Sequence, residues 1–298
     1  MSRQTAALAA ALRPAQWVKN LVVPLPFLFG GALAERRNWM LAAAGFLCFC
    51  AVASAIYLLN DVVDKERDRA HPVKKHRPIA AGELSPSVAL AAAAGLAALG
   101  LAASYLLSEA FFLWAAAYAA LMTAYSLVLK RVPFLEAFIV AAGLPLRAVA
   151  GTALAGLPPT TFLMLCAWLL ALFLVVGKRQ WELQNAGTEG GASSAAHRPA
   201  LAGYGVEGLD FLFVVTALSV VAAYAAWSVS ATTVFQYGGK SLWPTVPFVV
   251  VGVARYVRLV YRRGGGDNPT RALLIDDPAL LAIVVGWVAV AGWIIYGR

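Results

Sequence analysis

The sequence predicts an all-α, polytopic membrane protein with nine transmembrane helices. Three observations carry that expectation. Of 298 residues, 61% are hydrophobic and 13% charged, against roughly 45–50% and about 25% in soluble domains. Apolar stretches of about 17–25 residues, long enough to cross a bilayer core, recur along the whole length. Their periodicity is helical or continuously apolar, with no competing strand-like alternation, and backbone groups in lipid must be satisfied within the segment.

The stretches lie at about 19–34, 39–60, 86–107, 111–129, 134–155, 160–178, 209–229, 242–261 and 277–296. Segment 5–12 is too short to span and reads as an amphipathic lead-in, with no cleavage pattern of a signal peptide after it. The connections alternate in character. Segments 61–85, 130–133, 179–208 and 262–276 are polar and basic, whereas 35–38, 108–110, 156–159 and 230–241 are short or nearly uncharged. With the N-terminus, the basic set holds most of the 24 Lys and Arg residues, while the opposite side holds Arg36, Arg37, Lys240 and Arg298. An excess of Lys and Arg marks cytoplasmic loops. The N-terminus and the basic face are therefore expected in the cytoplasm of a cell inner membrane and the C-terminus outside, with residues 1–298 as one integral membrane catalytic domain. This topology also accounts for the net charge of +9 without a nucleic-acid partner. The run 186–196 is rich in Gly, Ala and Ser and reads as loop. Cys48, Cys50 and Cys166 sit inside apolar stretches and read as packing residues.

The strongest chemical signal is Asn60-Asp61-Val-Val-Asp64-Lys-Glu-Arg-Asp68, with Arg77-Pro78 downstream, where the second stretch meets the basic face. On a continuing helix, Asn60, Asp64 and Asp68 fall at i, i+4 and i+8 and share a stripe, with Asp61 beside it. Hard oxygen ligands gathered this way suit Mg²⁺, whose coordination substrate phosphates usually complete. A solvated acidic helix end paired with Lys65, Arg67 and Arg69 is the plainer alternative. After the sixth stretch, Lys178 and Arg179 with Glu182 read either as an anion cradle, Lys178 and Glu182 being i and i+4, or as a snorkelling basic boundary. Arg147 lies well inside the fifth stretch. An intramembrane Arg costs about 2.5–3.5 kcal/mol on insertion scales, so it should meet a phosphate or Glu136. His71, His76 and His197 read as loop residues.

The run 60–68 with its Arg-Pro resembles the Asp-rich NDxxDxxxD motif of the UbiA superfamily of intramembrane prenyltransferases. The resemblance implies a UbiA-type bundle of nine helices around a central cavity open to the cytoplasmic side and laterally to lipid, and Mg²⁺ held by Asn60, Asp64 and Asp68. Prenyl-diphosphate users of that superfamily carry a second motif, DxxxD, after the sixth span; segment 177–205 here contains no aspartate. Further stretches resemble the polyprenyl-phosphate phosphoribosyltransferase branch: 12–20 (LRPAQWVKN), 60–82, 125–130 (YSLVLK), 146–151 (LRAVAG), 177–183 (GKRQWEL) and 247–256 (PFVVVGVARY). That branch transfers 5-phosphoribosyl from phosphoribosyl pyrophosphate (PRPP) to a polyprenyl (decaprenyl) phosphate and so supplies cell-wall polysaccharide synthesis such as that of arabinogalactan. Glu136 stands where an aspartate is usual, and Gly205 follows Tyr204 where a hydroxyl residue is usual.

On this reading Lys19, Asn20, Asp61, Arg77, Tyr125, Lys130, Glu136, Arg147, Lys178, Arg179, Glu182 and Tyr204 contact PRPP or phosphate, alongside the metal-holding Asn60, Asp64 and Asp68. The acceptor phosphate attacks C1 of the ribose, and membrane lipids surround the chain; homo-oligomerisation is left open. Two rivals remain. One is a prenyltransferase of the same superfamily using a prenyl diphosphate donor, against which the absent DxxxD counts. The other is a non-enzymatic transporter or lipid-binding protein, which should line a polar path across the bilayer rather than gather its polar residues at one face.

Overall fold

A computed structural model of the chain describes residues 3–71, 73–132, 134–158, 161–184, 205–262 and 277–297. Among them every regular element is helical. The lead-in forms α1 (Arg3–Ala11), followed by a 3₁₀ stretch at Pro14–Val22, the short α2 (Leu25–Phe29) and a 3₁₀ turn at Ala32–Ala34. Then come α3 (Arg36–Val63), α4 (Lys65–Arg69), α5 (Pro86–Leu107), α6 (Glu109–Leu127), α7 (Leu135–Leu154) and α8 (Thr161–Gln184). The remainder is α9 (Val206–Val229), the short α10 (Ala231–Gln236), α11 (Val246–Tyr261) and α12 (Pro278–Tyr296).

Eight helices among the described residues are long and apolar enough to cross a membrane: α3, α5, α6, α7, α8, α9, α11 and α12. The protein is a multi-pass membrane protein. The first expected crossing, about 19–34, is not among these eight, because it is not one helix. Pro24 and Pro26 lack the N–H that an α-helical ladder needs, and Gly31 turns through φ +69, so the segment breaks into short helical pieces. It still runs the length of the bundle. Trp17 at one level donates to Ser54 of α3, and at the far end Gln236 and Tyr296 donate to the carbonyls of Phe29 and Leu28.

Small residues let the helices approach closely, as expected where lipid supplies no hydrophobic drive between them. Gly100 of α5 lies against Val52 and the Cys48 carbonyl of α3, and Gly151 of α7 lies against the Val23 carbonyl of the broken segment. Val23, Phe27, Phe49, Phe111, Tyr118 and Ala150 pack together at the centre of α3, α6, α7 and that segment. A second cluster joins α8, α9 and α11 through Phe173, Phe213 and Tyr256. A third seats Ile79 and Leu84, from the connection after α4, between α1, α3 and α5. That connection is structured. The Pro78 carbonyl accepts from the Glu83 and Leu84 amides, and Arg69 Nε donates to the Ala80 carbonyl. Serines start two of the crossings: Ser85 caps α5 through the Val88 amide and Ser108 caps α6 through the Phe111 amide.

Gly151→Ala is therefore expected to force α7 away from the broken segment and lower stability by about 1–3 kcal/mol. Gly95→Ala, whose added carbon meets nothing within 4 Å, should leave the melting temperature in detergent unchanged or slightly raised. Equal melting behaviour of the two variants would contradict this packing.

Candidate active site

The helical path continues through the end of α3 into α4, with the Asp64 amide donating to the Asn60 carbonyl and the Asp68 amide to the Asp64 carbonyl. Asn60, Asp64 and Asp68 thus keep helical spacing although α3 formally ends at Val63. Each acid meets a cation from another element. Lys130, just beyond α6, brings Nζ to Asp64 Oδ1 at 2.7 Å and Asn60 Oδ1 at 3.3 Å. Arg77 reaches Asp68 Oδ2 at 2.6 Å and Asp61 Oδ1 at 3.0 Å. Asp61, 2% exposed, also accepts from Arg13 Nη2.

Arg13 is part of the basic N-terminal set and of the stretch 12–20 in the sequence reading, with no site role assigned to it. It adopts φ +55 at the start of the 3₁₀ stretch and lies over the Tyr57 ring, 5.3 Å from its centroid. Burial lowers its pKa from the ordinary arginine value, and the Asp61 carboxylate opposes that shift. Lys74, near the same acids, is held below the ordinary lysine value by burial first and by Arg77 second.

A second ionic group is more enclosed. Arg179 on α8 is buried and donates through Nε and Nη2 to Glu136 on α7, the latter bond at 2.7 Å, and through Nη1 to Glu182 at 2.9 Å. Tyr125 donates to Glu136 Oε2 at 3.3 Å. Gly177 makes this placement feasible, since a Cβ there would come within 2.7 Å of Phe213 and 2.9 Å of Tyr256. The expected sixth span ended near 178; α8 continues to Gln184 and carries Lys178, Arg179 and Glu182 on its last turns.

Arg147 corrects the expected pairing with Glu136. The two are on one helix, about 16 Å apart at 1.5 Å per residue, too far for an ion pair. Arg147 instead donates from Nε to Asn20 Oδ1 (2.8 Å), from Nη1 to the Gly143 carbonyl (2.7 Å) and from Nη2 to the Tyr118 hydroxyl (2.6 Å). Its guanidinium also stacks on the Tyr118 ring at 4.4 Å. Asn20 in turn donates to Cys50 Sγ. Lys19 is exposed and lies within electrostatic reach of Lys178, Arg147 and Arg13. Tyr204 lies outside the described residues, as does His197. His71 closes a turn, its Nδ1 accepting from the Val73 and Lys74 amides.

Sequence reasoning missed Tyr118, which is indistinguishable from a packing aromatic until its hydroxyl is located. It also missed Gln180, Asp210 and Tyr261. Gln180 Nε2 and the Tyr261 hydroxyl both donate to Asp210 Oδ1, joining α8, α9 and the end of α11.

Three cations and three acids thus interlock at the α3 end, and a second cation–acid group sits on α7 and α8. The donor set at the stripe is hard oxygen, suited to a divalent ion bridging to phosphate, and the Lys130 ammonium already holds Asn60 and Asp64 together as a cation would. Among the described residues, no three His, Cys, Asp or Glu side chains converge into a ready-made metal cluster.

The chain matches the UbiA prenyltransferase family over residues 23–275. It is 35% identical to a decaprenyl-phosphate phosphoribosyltransferase of Corynebacterium glutamicum, covering 93% of this chain and 83% of that protein. It is 33% identical to the protein of the same name from Mycolicibacterium smegmatis, covering 97% and 92%. Its backbone is similar to a UbiA homolog from Archaeoglobus fulgidus bound to DMAPP and Mg²⁺, with a TM-score of 0.69, 17% identity, and 98% and 99% of the two chains covered. The ordered charge lattice, the helical bundle and these likenesses agree: the chain belongs to the UbiA prenyltransferase family.

Proposed function

We propose that the protein transfers 5-phosphoribosyl from PRPP to a polyprenyl phosphate of the decaprenyl class, releasing pyrophosphate, with Mg²⁺ as cofactor. The observation that carries this reading is similarity to decaprenyl-phosphate phosphoribosyltransferases over nearly the whole of both chains. The absence of any aspartate from segment 177–205 supports it against a prenyl diphosphate donor. The whole chain acts as one catalytic unit, with the stripe end facing the cytoplasm, where the excess of Lys and Arg lies.

Asn60, Asp64 and Asp68 supply the oxygens for the metal. When bound, it screens the charge of the diphosphate and of the departing pyrophosphate. Lys130 and Arg77 rest on these same acids, so they are placed to transfer their hydrogen bonds to the phosphates as the donor enters. Asp61 keeps Arg77 and Arg13 aimed into the site. Arg179, clamped by Glu136 and Glu182, holds α7 and α8 in register beneath it. One oxygen of the acceptor phosphate forms a bond to ribose C1 while the C1–O bond to pyrophosphate breaks, and the electron pair leaves with pyrophosphate. The nucleophile is already an anion, so no general base is required. Preset cations facing the leaving group are the larger contribution.

Asp64→Asn and Asp68→Asn are each expected to lower transfer at least about a hundredfold while the protein stays folded in membranes; full activity in either would remove the assignment of the stripe. Membranes supplied with radiolabelled PRPP and polyprenyl phosphate should form labelled lipid, lose that activity in chelator and recover it with Mg²⁺. Turnover of a prenyl diphosphate with no turnover of PRPP would overturn the reading.

A further inference from the structure

The polar group that joins α8, α9 and α11 has no part in the proposed reaction. Asp210 stands on the first turns of α9, within its membrane-crossing stretch. Its Oδ1 accepts from Gln180 Nε2 and from the Tyr261 hydroxyl, the latter at 2.7 Å. Gln180 is fully buried, Asp210 half-buried and Tyr261 exposed, so the carboxylate is fixed at the edge of the bundle. Both donors are neutral and both use the same oxygen, which leaves the charge uncancelled and Oδ2 free to accept. Among the described residues no Lys or Arg pairs with Asp210. Carboxylates within membrane spans are almost always paired.

Charges of the opposite sign lie beside it in the same condition. Arg258 and Arg262 are exposed at the end of α11, with the Arg262 amide donating to the Arg258 carbonyl at 3.1 Å. Arg258 stands one turn before Tyr261 and Arg262 directly after it, so the Tyr261 bond brings Asp210 next to this end of the helix. Neither arginine pairs with an acid among the described residues, whereas Arg255, one turn earlier, donates to Asp277 at 2.7 Å. Like charges at i and i+4 repel on a helix surface. Deeper in the membrane the same two helices turn apolar side chains outward: Phe211 (72% exposed) and Leu218 (66%) on α9, Val250 and Val251 on α11.

We propose that the adjoining ends of α9 and α11 bind a phospholipid of the phosphatidylethanolamine class, its ammonium on Asp210 and its phosphate on Arg258 and Arg262. The headgroup carries both charges on a short link, matching an acid and a pair of bases that the protein leaves side by side. Its acyl chains lie along the exposed apolar faces below. A purely anionic lipid would satisfy the arginines and be repelled by Asp210. A choline headgroup has no N–H to give the carboxylate, whereas a primary ammonium has three. The site is independent of the phosphoribosyltransferase reading and shares no residue with the acidic stripe.

The test titrates the full chain in detergent with phosphatidylethanolamine, phosphatidylcholine or phosphatidylglycerol of identical acyl chains and reads lipid occupancy by native mass spectrometry. Phosphatidylethanolamine is expected to bind at least about tenfold more tightly than phosphatidylcholine, the worth of a charge-assisted hydrogen bond. Asp210→Asn keeps an oxygen for Gln180 and Tyr261 and should erase that preference. Arg258→Gln combined with Arg262→Gln should weaken binding of all three lipids about tenfold or more. Both arginines are exposed, so this variant and the lipid comparison on the parent protein test the site even where Asp210→Asn fails to fold. Equal affinity for the ethanolamine and choline lipids, or a preference that survives Asp210→Asn, overturns the proposal. So does tighter binding of phosphatidylglycerol, which would reduce the site to the arginines alone, or binding indifferent to the arginine variant.

Discussion

The carboxylate of Asp61 accepts hydrogen bonds from Arg13 and Arg77, and Arg77 passes on to Asp68. Much of the molecule is arranged so that this chain of opposite charges closes. Arg13 comes from the approach to the broken first segment, Asp61 from α3, and Arg77 from the connection that Ile79 and Leu84 anchor between α1, α3 and α5. A buried ion pair gains little over an apolar one of the same shape, but removing one partner is costly because the other charge remains. The lattice therefore acts less as glue than as a condition on the surrounding helices: each must deliver its charge to the same few ångströms.

The two ionic groups differ in what that condition achieves. Asp64 is 16% exposed and Lys130 11%, so the pair can exchange for other partners. Glu136 at 1% and Arg179 at 4% are sealed. Accessible pairs at the end of α3 are suited to trading a protein cation for a substrate phosphate, and the sealed pair is suited to keeping α7 and α8 fixed while that happens. Pro145, which removes one helical N–H from α7, and Gly143, which leaves room beside the Arg147 guanidinium, adapt the same helix to a charge deeper in the bilayer.

The helical class, the membrane-crossing segments after the first and the acidic stripe were legible in the sequence because each depends on spacing along a single helix. Asn60, Asp64 and Asp68 recur every fourth residue, and the stripe survives the change from α3 to α4. The partners were not legible. Arg147 meets Asn20, 127 residues away, and Arg179 meets Glu136, 43 residues away, distances that only helix packing closes. The reading of 19–34 as one span followed its apolar composition, whereas Pro24 and Pro26 decide its backbone. Arg13 and Tyr118 received no site role for a related reason: a positive charge at a membrane boundary and an aromatic in an apolar run are common in those settings, and only their contacts mark them out.

At the end of α2 two carbonyls accept from far along the chain: Leu28, which also accepts from the Gly31 amide, from the Tyr296 hydroxyl, 268 residues later, and Phe29 from Gln236, 207 residues later. The opening segment is thereby tied to α10 and α12, and these two bonds can form only after the residues at the other end of the polypeptide have been made.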